Sequence, residues 1–303
     1  MKDKPLFTPG PLTTSLSVKQ AMLRDLGSRD SEFIETVINL RQELLRLAGT
    51  SQEDGYEAIL MQGSGTFSIE AVISSTIRPG SKHLVVVNGA YGDRIVKISQ
   101  IHGFETIVHK YLENELPDLD AVDQALADDA DIFMVTLVHC ETTSGIMNPI
   151  EPMGQIIKKH GRKYFVDSMS AFGAVPFDFK GCEIDYLVSS ANKCIEGVPG
   201  FGFILCRREA LLETEGWNRT LSLNLLAQWK GLESNGQFRF TPPTHAILAF
   251  SQALKELELE GGVPGRTQRY QENYRTLIDG MRRLGFDEYV AEELQGHIIT
   301  SFR

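Results

Sequence analysis

The sequence predicts an α/β fold whose mostly parallel sheet lies between layers of helices. Three observations lead there. From about residue 58 to residue 206, short β-rich apolar runs alternate with helical stretches. Crossover connections, and hence a largely parallel sheet covered on both faces, accommodate that alternation. Two of the runs end in or just before a charged residue, Asp167 and Lys193, where open α/β sheets bind ligands. No repeat, low-complexity tract or block of like charge interrupts the pattern.

The elements follow in order. Residues 8–17, with Pro9, Gly10, Pro11 and several hydroxyls, read as an extended N-terminal segment, and 18–26 as a short helix. Residues 31–48 carry helical periodicity through Ile34, Val37, Ile38, Leu44, Leu45 and Leu47, starting at a Ser31 cap and stopping at Gly49. Strands are expected at 58–61, 81–88, 106–109, 131–138, 163–167, 184–189 and 201–206. Helices are expected at 67–77, 92–102, 119–127 and 152–160. Beyond Pro242-Pro243 the texture changes to two long amphipathic helices, 244–260 and 266–284, and 297–302 begins a strand. A domain that ended inside its first strands would leave an unpaired edge. The expected organisation is therefore an extended segment at 1–15, a large domain at 16–245, and the start of a smaller α/β domain at 246–303 that is cut short.

Composition narrows the function. An apolar fraction of 42% and a mean hydropathy of -0.14 describe a soluble globular chain, and no apolar run is long enough to span a membrane. The start lacks the apolar core of a signal peptide. Cys140, Cys182, Cys194 and Cys206 form no C-x-x-C pair, which fits free thiols in a reducing cytoplasm. A net charge of -10 argues against a nucleic-acid partner.

Singly, Lys193 and Asp167 would pass for a surface lysine and a helix-capping aspartate. Projecting into one crevice, with a phosphate-cradling loop upstream, they make the pair a pyridoxal phosphate enzyme requires. The lysine forms the Schiff base and the aspartate keeps the pyridine nitrogen protonated. Gln62-Gly63-Ser64-Gly65-Thr66 supplies the loop, because small residues and hydroxyls at a helix N-terminus let backbone N–H groups approach a phosphate. It lacks the lysine of a P-loop and the third glycine of the dinucleotide fingerprint. In Asn88-Gly89-Ala90-Tyr91-Gly92-Asp93, Tyr91 could stack on a planar cofactor or simply form a half-buried wall. In His139-Cys140-Glu141-Thr142-Thr143-Ser144-Gly145, no P-C-x-x-C follows to complete a zinc site, so Thr142 and Thr143 read as hydroxyl donors. The turn Pro199-Gly200-Phe201 orients the lysine, and Cys194 beside it reads as a packing residue.

These strings, with Thr8-Pro9-Gly10-Pro11-Leu12-Thr13-Thr14-Ser15, Gly27-Ser28-Arg29-Asp30, Val166-Asp167-Ser168-Met169-Ser170 and Ser190-Ala191-Asn192-Lys193-Cys194, resemble those of the class-V aminotransferases, fold-type I pyridoxal phosphate enzymes. The resemblance runs from about Pro5 to the last residue. It implies Lys193 as Schiff-base lysine and general acid/base, and Asp167 as pyridinium partner. Ser64, Gly65 and Thr66 would hold the cofactor phosphate, Tyr91 the ring face and Thr142 the phenolic oxygen, with Asn192 a short polar neighbour of the cofactor. It implies a homodimer with shared active sites, in which Thr241 and Thr244 reach the neighbour's phosphate. Together with Arg239-Phe240-Thr241-Pro242-Pro243-Thr244-His245, the N-terminal string points to members that move the amino group of 2-aminoethylphosphonate to pyruvate. Serine- or alanine-glyoxylate-type aminotransferases share every cofactor residue named. A catalytically silent α/β protein is the reading from another class, because the family continues past residue 303 and supplies there an arginine that grips the substrate's acidic group.

Overall fold

A computed structural model describes residues 4–303; residues 1–3 of the expected N-terminal segment lie outside the described residues. In chain order the elements are α1 (Leu16–Gln20), α2 (Ser31–Leu47), β1 (Tyr56–Gln62), α3 (Gly65–Thr76), β2 (Lys82–Val87), α4 (Ala90–Ile101), β3 (Glu105–Lys110), α5 (Leu119–Asp128) and β4 (Ile132–Val138). Then come α6 (Ile150–Lys159), β5 (Lys163–Asp167), β6 (Tyr186–Ser190), β7 (Phe201–Arg207), α7 (Arg208–Leu212), α8 (Leu225–Asn235), α9 (Thr244–Leu259) and α10 (Gly262–Arg283). The strands follow the order β1-β7-β6-β5-β4-β2-β3. β2 runs parallel to β3 and β4, and β4 parallel to β5, whereas β1 and β7 are antiparallel. Contacts gather into two units, Met1–Thr76 with Val188–Gly262, and Ile77–Leu187 with Val263–Arg303.

In the first unit β1 and β7 pair from Tyr56↔Arg207 to Gln62↔Phe201, both buried almost throughout. Phe250 of α9 meets Phe201 edge-on at 5.1 Å. Glu57, fully buried on β1, is neutralised by Arg208 Nε at 2.6 Å and Arg41 Nη2 at 3.2 Å. Removing either arginine would leave a buried charge short of partners, at a cost of several kcal/mol. α8 starts at an Asn224 cap that accepts the Ala227 N–H at 2.9 Å and ends at Gly236 with φ 71°.

In the second unit the parallel ladder runs in register from Lys82↔Glu105 to Val87↔Lys110 and from Met134↔Lys163 to Val138↔Asp167. Buried His83 on β2 bridges Ser99 Oγ (2.9 Å) and Thr136 Oγ1 (2.7 Å), so its polar atoms are satisfied inside the core. Burial holds its pKa down at about 3.

Four expectations need correction. α1 begins at Leu16 and ends at Gln20 because Ser15, accepting the Val18 N–H at 3.1 Å, caps it earlier than expected. Asp30 is the residue before α2, which makes Ser31 its first turn; the Asp30 carboxylate accepts the Gly27 N–H at 2.7 Å instead of capping. α7 and α8 were not anticipated. Residues 297–302 form no strand: they make an isolated bridge, Glu288↔Phe302. Nor do they lack a partner, since the Tyr289 N–H donates to Ser301 O at 2.8 Å and the Arg303 N–H to Asp287 O at 2.9 Å. Gly285, at φ 86°, starts the turn after α10. Among the described residues no helix is long and apolar enough to cross a membrane.

Candidate active site

The first unit carries Lys193, Asn192, the Ser64 loop and both threonines of the 241–244 stretch. Lys193 lies just past β6 in a tight turn, where the Glu196 N–H donates to Lys193 O at 2.7 Å and the Gly197 N–H to Ala191 O at 2.9 Å. Its side chain is half-buried, as is Asn192, and its amine lies 3.5 Å from Pro9 O. Gly10, at φ 148°, presses on that side chain: a Cβ there would fall 2.6 Å from both Lys193 Cδ and Nζ. The N-terminal segment thus walls the lysine. Cys194 is buried, as the packing role requires.

At the end of β1, Gly63 adopts φ 107°, and a Cβ there would lie 2.8 Å from Phe67 Cγ. Its N–H donates to Gly200 O at 3.0 Å, tying the loop to the turn beyond the lysine. Ser64 is exposed, and Gly65 and Thr66 open α3, whose first-turn N–H groups have no helical acceptors. Gln62 Nε2 donates to Phe240 O at 2.8 Å, fixing the strand end against the loop that precedes α9. On that loop Thr241 is exposed, lining an open cleft of about 360 Å³ with Ser28, Arg29 and Arg239. Thr244, half-buried, begins α9.

The second unit carries Asp167, Tyr91 and Thr142. Asp167 ends β5 with only 1% of its surface exposed. Its Oδ1 accepts the Met169 N–H at 3.0 Å, and its carbonyl accepts the His139 N–H at 2.8 Å. His139 Nδ1 stands 3.0 Å from Ser168 Oγ, and burial pushes the ring's pKa down to about 3, so it stays neutral. Thr142 Oγ1 and Ser170 Oγ are 2.8 Å apart. Tyr91, half-buried at the start of α4, has the Arg94 guanidinium 4.5 Å from its ring centroid.

Sequence reasoning passed over Glu141 once a metal role was excluded. It is fully buried and accepts the N–H groups of Tyr91 (3.2 Å), Gly92 (3.4 Å) and Thr142 (3.1 Å). Burial raises its pKa, and the N–H groups around it act in the opposite direction. The C-terminal segment was also unforeseen here: Gln295 Nε2 donates to Gly145 O at 3.1 Å and to Ile299 O at 2.6 Å, and Ser301 Oγ to Thr143 O at 2.9 Å. Only tertiary contact reveals it, because 295–301 carries no motif.

Taken unit by unit, these groups have definite chemistry. A hydroxyl-bearing helix N-terminus suits a phosphate, a buried carboxylate suits a protonated ring nitrogen, and a walled lysine amine suits a carbonyl carbon. The chain belongs to the class-V aminotransferase family, whose model matches residues 14–302. It is 48% identical over 299 residues to the 2-aminoethylphosphonate–pyruvate transaminase of Salmonella heidelberg (strain SL476), covering 98% of this chain and 81% of that one. Identity to its counterpart in Salmonella agona (strain SL483) is 49% with the same coverage. Among solved structures, an alanine–glyoxylate aminotransferase from Nostoc sp. superposes with a TM-score of 0.87 at 26% identity, over 100% of this chain and 82% of that one. Pyridoxamine–pyruvate aminotransferase from Mesorhizobium loti gives 0.90 at 22% identity over 99% and 77%, a likeness of fold alone.

Proposed function

We propose that the chain is a pyridoxal phosphate-dependent aminotransferase that moves the amino group of 2-aminoethylphosphonate to pyruvate, giving phosphonoacetaldehyde and L-alanine. The observation that carries the reading is Lys193, walled by Pro9 and Gly10, in a chain nearly half identical over its length to proteins named for that reaction.

The residues present fit the cofactor. Asp167, almost wholly buried, offers a carboxylate to a protonated ring nitrogen, and such a charge-assisted bond contributes about 1.5–3 kcal/mol. Ser64, Gly65 and Thr66 would hold the phosphate, Tyr91 would cover a ring face, and Thr142 would donate to the ring oxygen, with Asn192 alongside. Bound there, the cofactor supplies an aldehyde that accepts the amino group and a ring that takes up electrons from the substrate carbon. Lys193 would anchor the cofactor and, once released, take the proton from the donor's amino-bearing carbon through Nζ. Pro9 O and Gly10 would limit where the freed amine can swing. Thr241 and Thr244 would reach the cofactor phosphate of a second copy in a homodimer that works in the cytoplasm. The large domain would span 16–245, with a smaller one beginning at 246.

An alanine- or serine-glyoxylate exchange is the second reading, favoured by the superposition on the Nostoc enzyme. Offering 2-aminoethylphosphonate, L-alanine and L-serine in parallel, each with pyruvate or glyoxylate, decides between them. Alanine formed fastest from 2-aminoethylphosphonate and pyruvate is the expected result. Glycine formed fastest from alanine or serine with glyoxylate would overturn the first reading in favour of the second.

A further inference from the structure

Resting on that reading, we propose that Glu141 is a positioning residue that locks Tyr91 and Thr142 into one frame for the cofactor ring. The two sit 51 positions apart in sequence, on the first turn of α4 and on the loop after β4. Glu141 joins them. One carboxylate oxygen accepts the Tyr91 N–H at 3.2 Å and the Thr142 N–H at 3.1 Å, and the other accepts the Gly92 N–H at 3.4 Å. Thr143 Oγ1, at 3.4 Å, adds a further donor to the first oxygen. Thr142 is held from its other side by Ser170, three residues past Asp167, so the frame extends to the strand end that carries the aspartate.

Among the described residues no arginine or lysine pairs with this carboxylate, which is fully buried. Its compensation is the Tyr91 and Gly92 N–H groups at the positive end of the 12-residue α4, with the Thr142 N–H and the Thr143 hydroxyl from its own loop. A buried carboxylate stabilises such a corner only while its donors stay aimed at it. Tyr91 and Thr142 cannot drift apart without stranding it.

Gly89 gives independent support. Its φ of 173° is extended backbone that any residue adopts, so conformation does not call for glycine there. Space does: a Cβ would fall 2.1 Å from Glu141 Cγ and 2.3 Å from Cδ. The glycine is the room that Glu141 occupies.

The test measures pyridoxal phosphate binding and the bound cofactor's absorption spectrum in the full chain, with the melting temperature of the cofactor-free chain as a control for folding. Glu141→Gln keeps the shape but replaces one acceptor with an amide that faces an N–H. It should weaken cofactor binding about tenfold, as expected for a lost hydrogen bond to a charged group, and shift the absorption maximum. Gly89→Ala should do the same while Glu141 is present, and change binding less than about twofold in a Glu141→Ala background, because directly contacting residues are non-additive. Unchanged binding and spectrum in Glu141→Gln, or an equal Gly89→Ala effect in both backgrounds, overturns the proposal. So does a lowered melting temperature with normal binding, which would make Glu141 merely structural. If the unsubstituted chain binds no pyridoxal phosphate, the aminotransferase reading itself goes, and this one with it.

Discussion

Lys193 and Asp167 are held in opposite ways. The lysine is half-buried on a turn, limited by a backbone carbonyl at 3.5 Å and by a glycine pressed against its stem. The aspartate is buried at a strand end, and around it run hydrogen bonds that are buried or partly so: His139 to Ser168, Thr142 to Ser170, and the Tyr91 N–H to Glu141. A group that must leave its partner and return needs space and few anchors. One that only holds a charge still benefits from rigid surroundings. Substitution of the lysine should therefore cost chemistry with little stability, and substitution of the groups around the aspartate should cost both.

The largest effect should come from Lys193→Ala. Loss of both the anchoring amine and the proton carrier should slow turnover at least about 10³-fold. The melting temperature should stay within about 2 °C, since a partly exposed side chain rarely contributes more. A large drop in melting temperature with residual turnover would erase the contrast. Asp167→Asn should cost about 10- to 100-fold in turnover and weaken cofactor binding, because a neutral amide gives up the charge-assisted bond. Near-normal rates would make Asp167 only structural.

Gly10→Ala sharpens the first half of the comparison. The new methyl would collide with Lys193 at a backbone angle that L-residues rarely adopt, and turnover should fall about tenfold with a small stability loss. Its counterpart is Gly154→Ala, whose Cβ would meet Cys182 O at 1.9 Å. That change should destabilise by about 1–3 kcal/mol and leave the rate per folded molecule unchanged.

Much of this organisation was legible in the sequence. β2, β4 and β5 are buried apolar runs with polar ends, so their type and limits could be read within about two residues. α8 escaped notice because Gln228, Lys230, Gly231 and Ser234 dilute its apolar stripe, although its Asn224 cap and Gly236 stop were readable signals. The strand expected at 297–302 reflected an apolar run whose actual partner, 287–289, is held by only a few backbone bonds. For the site, motif residues stood out because their chemistry is unusual at strand ends. Glu141 and Gly89 did not, because their pairing is a contact across 52 positions that no local pattern encodes.

A further effect is expected in acid. Folded His83 and His139 titrate at about 3 rather than 6.5. Above pH 6.5 they are neutral in both states and add no pH dependence. Between pH 6.5 and about 3 the unfolded chain takes up protons that the folded second unit refuses, so stability falls by up to about 1.4 kcal/mol per pH unit for each. Glu141, with its raised pKa, works in the opposite sense, its stabilising contribution growing as pH falls through its folded value. Urea midpoints recorded from pH 7 to pH 4 should decline, and less steeply in His83→Gln; identical slopes in the two chains would contradict the assignment.

The most direct measurement fixes where the cofactor is carried. The chain is loaded with pyridoxal phosphate, reduced with borohydride and digested, and its peptides are weighed by mass spectrometry. The account predicts the cofactor's mass on the peptide that contains Lys193 and on no other. Label on a different lysine, or on none, would contradict it.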